Sequence, residues 1–113
     1  MPLDDDTLAT LAGKLDSLWK ASKPAVLERL ATLESSCAVW MDAPEDSAAL
    51  HDALHSARDA AHKLAGILGT FGLARGSQIA SELEAMVAQP SPAPAATVPL
   101  LIEELRSIIA AKE

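Results

Sequence analysis

Three histidines, His51, His55 and His62, are candidates for chemistry near neutral pH. A neutral imidazole can ligate a metal, move a proton or attack an electrophile, so spacing has to choose among these. His51 and His55 are one helical turn apart with Asp52 and Asp59 close by, a pattern that suits a weak metal site. His62 lies seven residues beyond His55, about 10 Å along a helix axis and too far to share one ion with that pair. No metal site is therefore expected. His62 is set apart by the glycines that follow it in "AHKLAGILGTFGLARG", at positions 66, 69, 72 and 76. Each glycine inside a helix costs about 1 kcal/mol relative to alanine. Alanine is used freely throughout this chain, so the glycines require a reason.

A helical wheel supplies one. Leu50, Ala53, Leu54, Ala57, Ala61, Leu64, Leu68 and Phe71 share a broad apolar face that must point into a core. His62 falls roughly 140° from the centre of that face, on the solvent side. His51, His55, Arg58, Gly66 and Gly69 lie on the same stripe. A core histidine is thus disfavoured, and the competing plain reading is a solvated surface side chain. Gly66 and Gly69, one and two turns beyond His62, leave the imidazole clear of neighbours and open the backbone to close approach. Gly72 is expected to end the helix and Gly76 to be a small packing position in the next one. The arrangement suits a histidine offered to another protein's active site.

The elements that hold His62 in place are helical. Half of the 113 residues are apolar, Ala and Leu dominate, and aromatic residues are only 3%, too few for a sheet protein. Five helices are expected, over about 5–21, 22–40, 45–70, 73–88 and 98–112. Leu8, Leu11, Leu15 and Leu18 mark the first, and Val26, Leu27, Leu30, Leu33, Cys37 and Trp40 the second, with Pro24 in its opening turn. Ile79, Ala80, Leu83, Met86 and Val87 form the inner face of the fourth, and Leu101, Leu105, Ile108 and Ile109 that of the last. "QPSPAPAATVP", residues 89–99, is a proline-rich connection between them. The reading is a single domain over 1–113: an antiparallel four-helix bundle with an additional N-terminal helix across one end.

The formal charge of −7 excludes the clustered cations that nucleic-acid binding needs. One cysteine, an acidic start and the lack of a long apolar run point to a cytoplasmic protein without a membrane segment.

Residues 61–84, "AHKLAGILGTFGLARGSQIASELE", resemble the phosphohistidine motif of histidine-containing phosphotransfer (HPt) domains. The matching positions are Ala61, His62, Leu64, Gly66, Gly72, Ala80, Leu83 and Glu84. "GTFGL" also looks like the corresponding part of chemotaxis-kinase phosphotransfer domains. The resemblance implies a phosphoryl carrier in a two-component phosphorelay, with His62 phosphorylated on Nε2. It implies a response-regulator receiver domain and a hybrid histidine kinase as partners, and a monomer. Many members carry lysine three residues after the histidine, where this chain has Ala65. The resemblance implies that this lysine steadies the phosphoryl group. Arg58, one turn before His62 on the same stripe, is the candidate to supply that charge, against the plain reading of a solvated side chain, and Lys63 is nearby but about 100° around the helix. Lys63, Gly66 and Gly69 join Arg58 as phosphate-supporting or partner-facing positions.

The chain has no nucleotide motif and no acidic cluster suited to Mg²⁺, and "GILGTFG" lacks the Lys-Ser/Thr of a phosphate loop. No cofactor is expected here. The Mg²⁺ and most of the catalysis should belong to the partner receiver, which makes this chain a carrier and not an enzyme. Two other readings compete: a helical scaffold with His62 incidental, and a histidine-kinase dimerisation helix. "KLAGI" after His62 lacks the Glu and downstream Pro of the latter.

Overall fold

The computed structural model describes residues 5–44, 46–89 and 97–112. It contains four α-helices: α1 over Asp5–Asp42, α2 over Ala48–Thr70, α3 over Ala74–Ala88 and α4 over Thr97–Ala111. They run up, down, up and down, and each packs against its sequence neighbour. Most of the proline-rich connection lies outside the described residues.

The expected first and second helices are one. Pro24 sits inside a continuous α1 of 38 residues, so no separate N-terminal helix crosses the end of the bundle. The reason is a single buried stripe, Trp19, Val26, Leu30, Leu33, Cys37 and Trp40, which stays in helical register on both sides of the proline. Breaking the helix at Pro24 would rotate Trp19 away from that stripe. A proline inside a helix costs about 3 kcal/mol. Here the cost is eased because Pro24 and Lys20 are both exposed, so water can reach the carbonyl that loses its hydrogen bond. Pro24→Ala should therefore raise stability by about 1–3 kcal/mol, the helical gain being offset in part by a more flexible unfolded chain. A urea unfolding midpoint that stays put or falls would show the helix interrupted at Pro24.

Three of the leucines expected to pack the first helix do not, and the side chain of Leu8 lies outside the described residues. Leu11, Leu15 and Leu18 are 45–56% exposed, and Leu27 is also exposed. Leu11, Leu15 and Leu18 belong to the N-terminal half of α1. Trp19 closes that end instead: it is fully buried, meets Phe71 edge-on at 5.2 Å and donates from Nε1 to the Lys112 carbonyl at 3.2 Å.

The remaining helices follow the apolar pattern. Ala53, Ala57, Ala61, Leu64 and Leu68 of α2 are buried, with Leu50, Leu54 and Phe71 half-buried. Ile79, Ala80, Leu83 and Val87 of α3 are buried, as are Val98, Ile102, Leu105 and Ile109 of α4. Ser47 caps α2, its hydroxyl accepting from the Leu50 N–H at 3.1 Å. Gly72, at φ +78°, ends α2. Its N–H reaches the Gly69 carbonyl at 3.1 Å and that of Leu73 reaches Leu68 at 2.9 Å, a Schellman closure. Arg75 joins α3 to α4 through Glu104, and Arg106 joins α4 to α1 through Glu34. Cys37 is buried, and desolvation pushes its thiol up to about 11, leaving it inert.

Candidate functional site

His62 stands midway along α2 with its side chain 74% exposed. The residues one position before and two after it, Ala61 and Leu64, are fully buried. They fix the rotation of α2, and the rotation fixes where the imidazole points. Its Nδ1 lies 3.1 Å and 3.3 Å from the two carboxylate oxygens of Glu84 on α3. A carboxylate only accepts, so Nδ1 carries the proton and donates it. Nε2 is then the ring nitrogen with the free lone pair, and among the described residues no hydrogen bond occupies it.

Gly66, one turn further on, is open: a Cβ built there meets nothing within 4 Å. The space beside His62 is therefore empty because Gly66 contributes no side chain. Gly69 is also exposed, but a Cβ there would come within 3.3 Å of Ser77 Oγ. Its smallness serves the approach of α3 as well as the open surface. Ser77 uses that approach, donating to the Ala65 carbonyl at 2.8 Å. Gly76 is a packing glycine, since its Cβ would lie 3.1 Å from Leu68 and 3.3 Å from Ile108.

Two shallow clefts flank His62. The one between α2 and α3 is lined by His55, Arg58, Asp59, His62 and Glu84. Arg58 thus lines the same cleft as the histidine and shares it with two carboxylates. The second, between α1 and α2, is lined by Arg29, His62, Lys63, Gly66, Ile67 and Thr70. Lys63 pairs with Asp59 at 3.0 Å. That hydrogen bond, and then the charges of Lys63, Arg29 and His55, hold the Asp59 carboxyl below its ordinary value. Among the described residues, no three His, Cys, Asp or Glu side chains converge to suit a metal ion. No helix is long and apolar enough to cross a membrane.

Sequence reasoning missed the contact of Glu84 with His62 and the presence of Arg29 at the site. Both residues sit on the shoulder of a buried stripe, Glu84 next to Leu83 and Arg29 next to Leu30. A wheel places each at the edge of its own core face. It does not say which side chain of the neighbouring helix lies opposite.

An exposed imidazole with its proton fixed on one nitrogen, a free lone pair on the other and a cleared approach can accept a group from a second protein. No curated protein and no solved structure matches the chain. A family model described as the Hpt domain matches residues 17–111, from just before Trp19 to the end of α4. The stretch covers most of α1, all of α2, α3 and α4 and the whole His62 site, and the chain belongs to the Hpt domain family of phosphorelay carriers, which pass phosphoryl groups on without being enzymes themselves.

Proposed function

We propose that Nε2 of His62 is the atom that accepts and returns the phosphoryl group. The observation that carries this reading is the hydrogen bond from Nδ1 to Glu84, which keeps the lone pair on the exposed nitrogen. In the forward step that lone pair attacks the phosphorus of an aspartyl phosphate. The N–P bond forms as the P–O bond to the aspartate breaks, and the aspartate leaves as a carboxylate with the electron pair. The ring, still carrying its Nδ1 proton, becomes cationic, and Glu84 faces that charge from 3.1 Å. In the return step an aspartate oxygen attacks phosphorus and the N–P electrons go back to Nε2. No proton has to move in either direction.

The partner on one side is a response-regulator receiver domain, which brings the acceptor aspartate and its Mg²⁺, and on the other a hybrid histidine kinase. In-line transfer needs the partner close to the α2 backbone. Gly66 and Gly69 leave room for it, while Arg58 and Lys63 add positive charge within a turn of His62. We read the chain as a cytoplasmic monomer.

Incubation with a phosphorylated receiver domain tests the reading: an acid-labile phosphoryl group should appear on His62. A chain that takes no label from any receiver or from a small phosphoryl donor is not a carrier. Glu84→Gln keeps an acceptor for Nδ1–H but removes the charge. We expect phosphoryl acceptance to slow about tenfold, since charge-assisted hydrogen bonds outlast neutral ones by roughly 1 kcal/mol or more. Stopped-flow or quench measurements with a phosphorylated receiver check this, and an unchanged rate would reduce Glu84 to a bystander.

A further inference from the structure

Ala65 leaves no cation one turn after His62, and the cations beside the histidine on α2, Arg58 and Lys63, are both compromised. Lys63 is held by Asp59 at 3.0 Å. Arg58 opens into the cleft that contains Asp59 and Glu84, where two carboxylates oppose an arriving phosphoryl dianion. The other cleft differs. Its lining is Arg29, His62, Lys63, Gly66, Ile67 and Thr70, with no carboxylate, and Arg29 is the cation there beside the paired Lys63. Arg29 is half-buried on the inner shoulder of α1, and among the described residues no hydrogen bond or ion pair engages its guanidinium. It lines this groove together with His62 and Gly66, which places it opposite α2 at the level of the site. Gly66 leaves the floor of this groove open beside the imidazole.

We infer that the groove between α1 and α2 is the seat of the transferred phosphoryl group and that Arg29 is the cation that neutralises it there. The guanidinium is planar, permanently charged and presents paired donors to phosphoryl oxygens. Among the described residues it also makes no hydrogen bond or ion pair that it would first have to surrender. Arg29 reaches the group from a different helix than the histidine. The inference rests on His62 being the phosphoryl acceptor.

The test uses the whole chain and phosphoramidate, a small phosphoryl donor that removes partner contacts from the comparison. Nε2 attacks phosphorus, the P–N bond of the reagent breaks, and ammonia leaves with a proton from solvent. A ³¹P titration of the product then reports the charge around the phosphoryl group. Replacing Arg29 by Gln should raise the apparent pKa of the phosphoryl group by about half a unit or more. It should also slow labelling several-fold, with circular dichroism and the melting temperature unchanged. Arg29→Lys should recover most of both effects, which a packing role for the side chain would not predict. Arg58→Gln should shift the titration less than Arg29→Gln. An Arg29→Gln titration that overlays the wild type, or a larger shift in Arg58→Gln, overturns the assignment to Arg29 while leaving the carrier reading intact. If phosphoramidate labels no histidine that His62→Gln removes, the carrier reading itself fails and takes this inference with it.

Discussion

His62→Gln should abolish phosphoryl labelling and leave the fold as it was. The side chain is 74% exposed and its hydrogen-bonding partner is Glu84 on the surface of α3. Glutamine can still donate to that carboxylate. The rotation of α2 is set by Ala57, Ala61, Leu64 and Leu68, all fully buried and all untouched. The stability change should therefore stay within about 0.5 kcal/mol, the range of ordinary surface substitutions. The loss of labelling should be complete, because the free lone pair on Nε2 has no substitute in an amide. His51→Gln is the control, since His51 lies three turns earlier on the same exposed stripe. Labelling that persists in His62→Gln and disappears in His51→Gln or His55→Gln would move the acceptor elsewhere on α2. Far-ultraviolet circular dichroism and acid-lability of the label, measured on the same preparations, separate a chemical loss from an unfolded one.

The outward placement of His62 was legible because eight apolar positions define the inner face of α2, and a wheel needs nothing else. Gly72 and Gly76 were legible for a similar reason: one follows the last periodic residue, and the other falls on the inner face of α3. The continuity of α1 through Pro24 and the outward face of Leu11, Leu15 and Leu18 were not legible. Leu8, Leu11, Leu15 and Leu18 recur as regularly as any buried stripe in the chain. Periodicity shows that a helix has an apolar face, but not that anything stands opposite it. Leu11, Leu15 and Leu18 have little opposite them. The stripe that does have partners starts at Trp19 and passes through Pro24 without a break, so the burial of Trp19, Val26 and Leu30 outweighed the local signal to start a helix at Ser22. At the site, His62 could be found alone. Glu84 and Arg29 could not, because their meaning depends on the rotation and register of three helices relative to one another.

Gly66→Gln should make the protein more stable and a poorer carrier. Gly66 is helical and exposed, and nothing lies within 4 Å of where its Cβ would be. A good helix former there gains up to about 1 kcal/mol over glycine, without a clash to offset it. The melting temperature should rise by a few degrees, up to about 4 °C for a domain of this size. The side chain, however, leans toward the preceding turn, where His62 stands, and fills the groove that Arg29 and Lys63 line. It would crowd the imidazole and hold a partner's backbone away from α2. Transfer from a phosphorylated receiver should fall by about a hundredfold, as misplacing reacting groups by an ångström does elsewhere. Gly66→Ala separates the two effects: it carries most of the helical gain but only a methyl group, so it should be stabilised and lose much less transfer. A destabilised Gly66→Gln would mean that Gly66 packs against another element. A stabilised Gly66→Gln with full transfer would mean that the glycine has no part in access, and the helix would have given up its stability there for nothing that phosphotransfer requires.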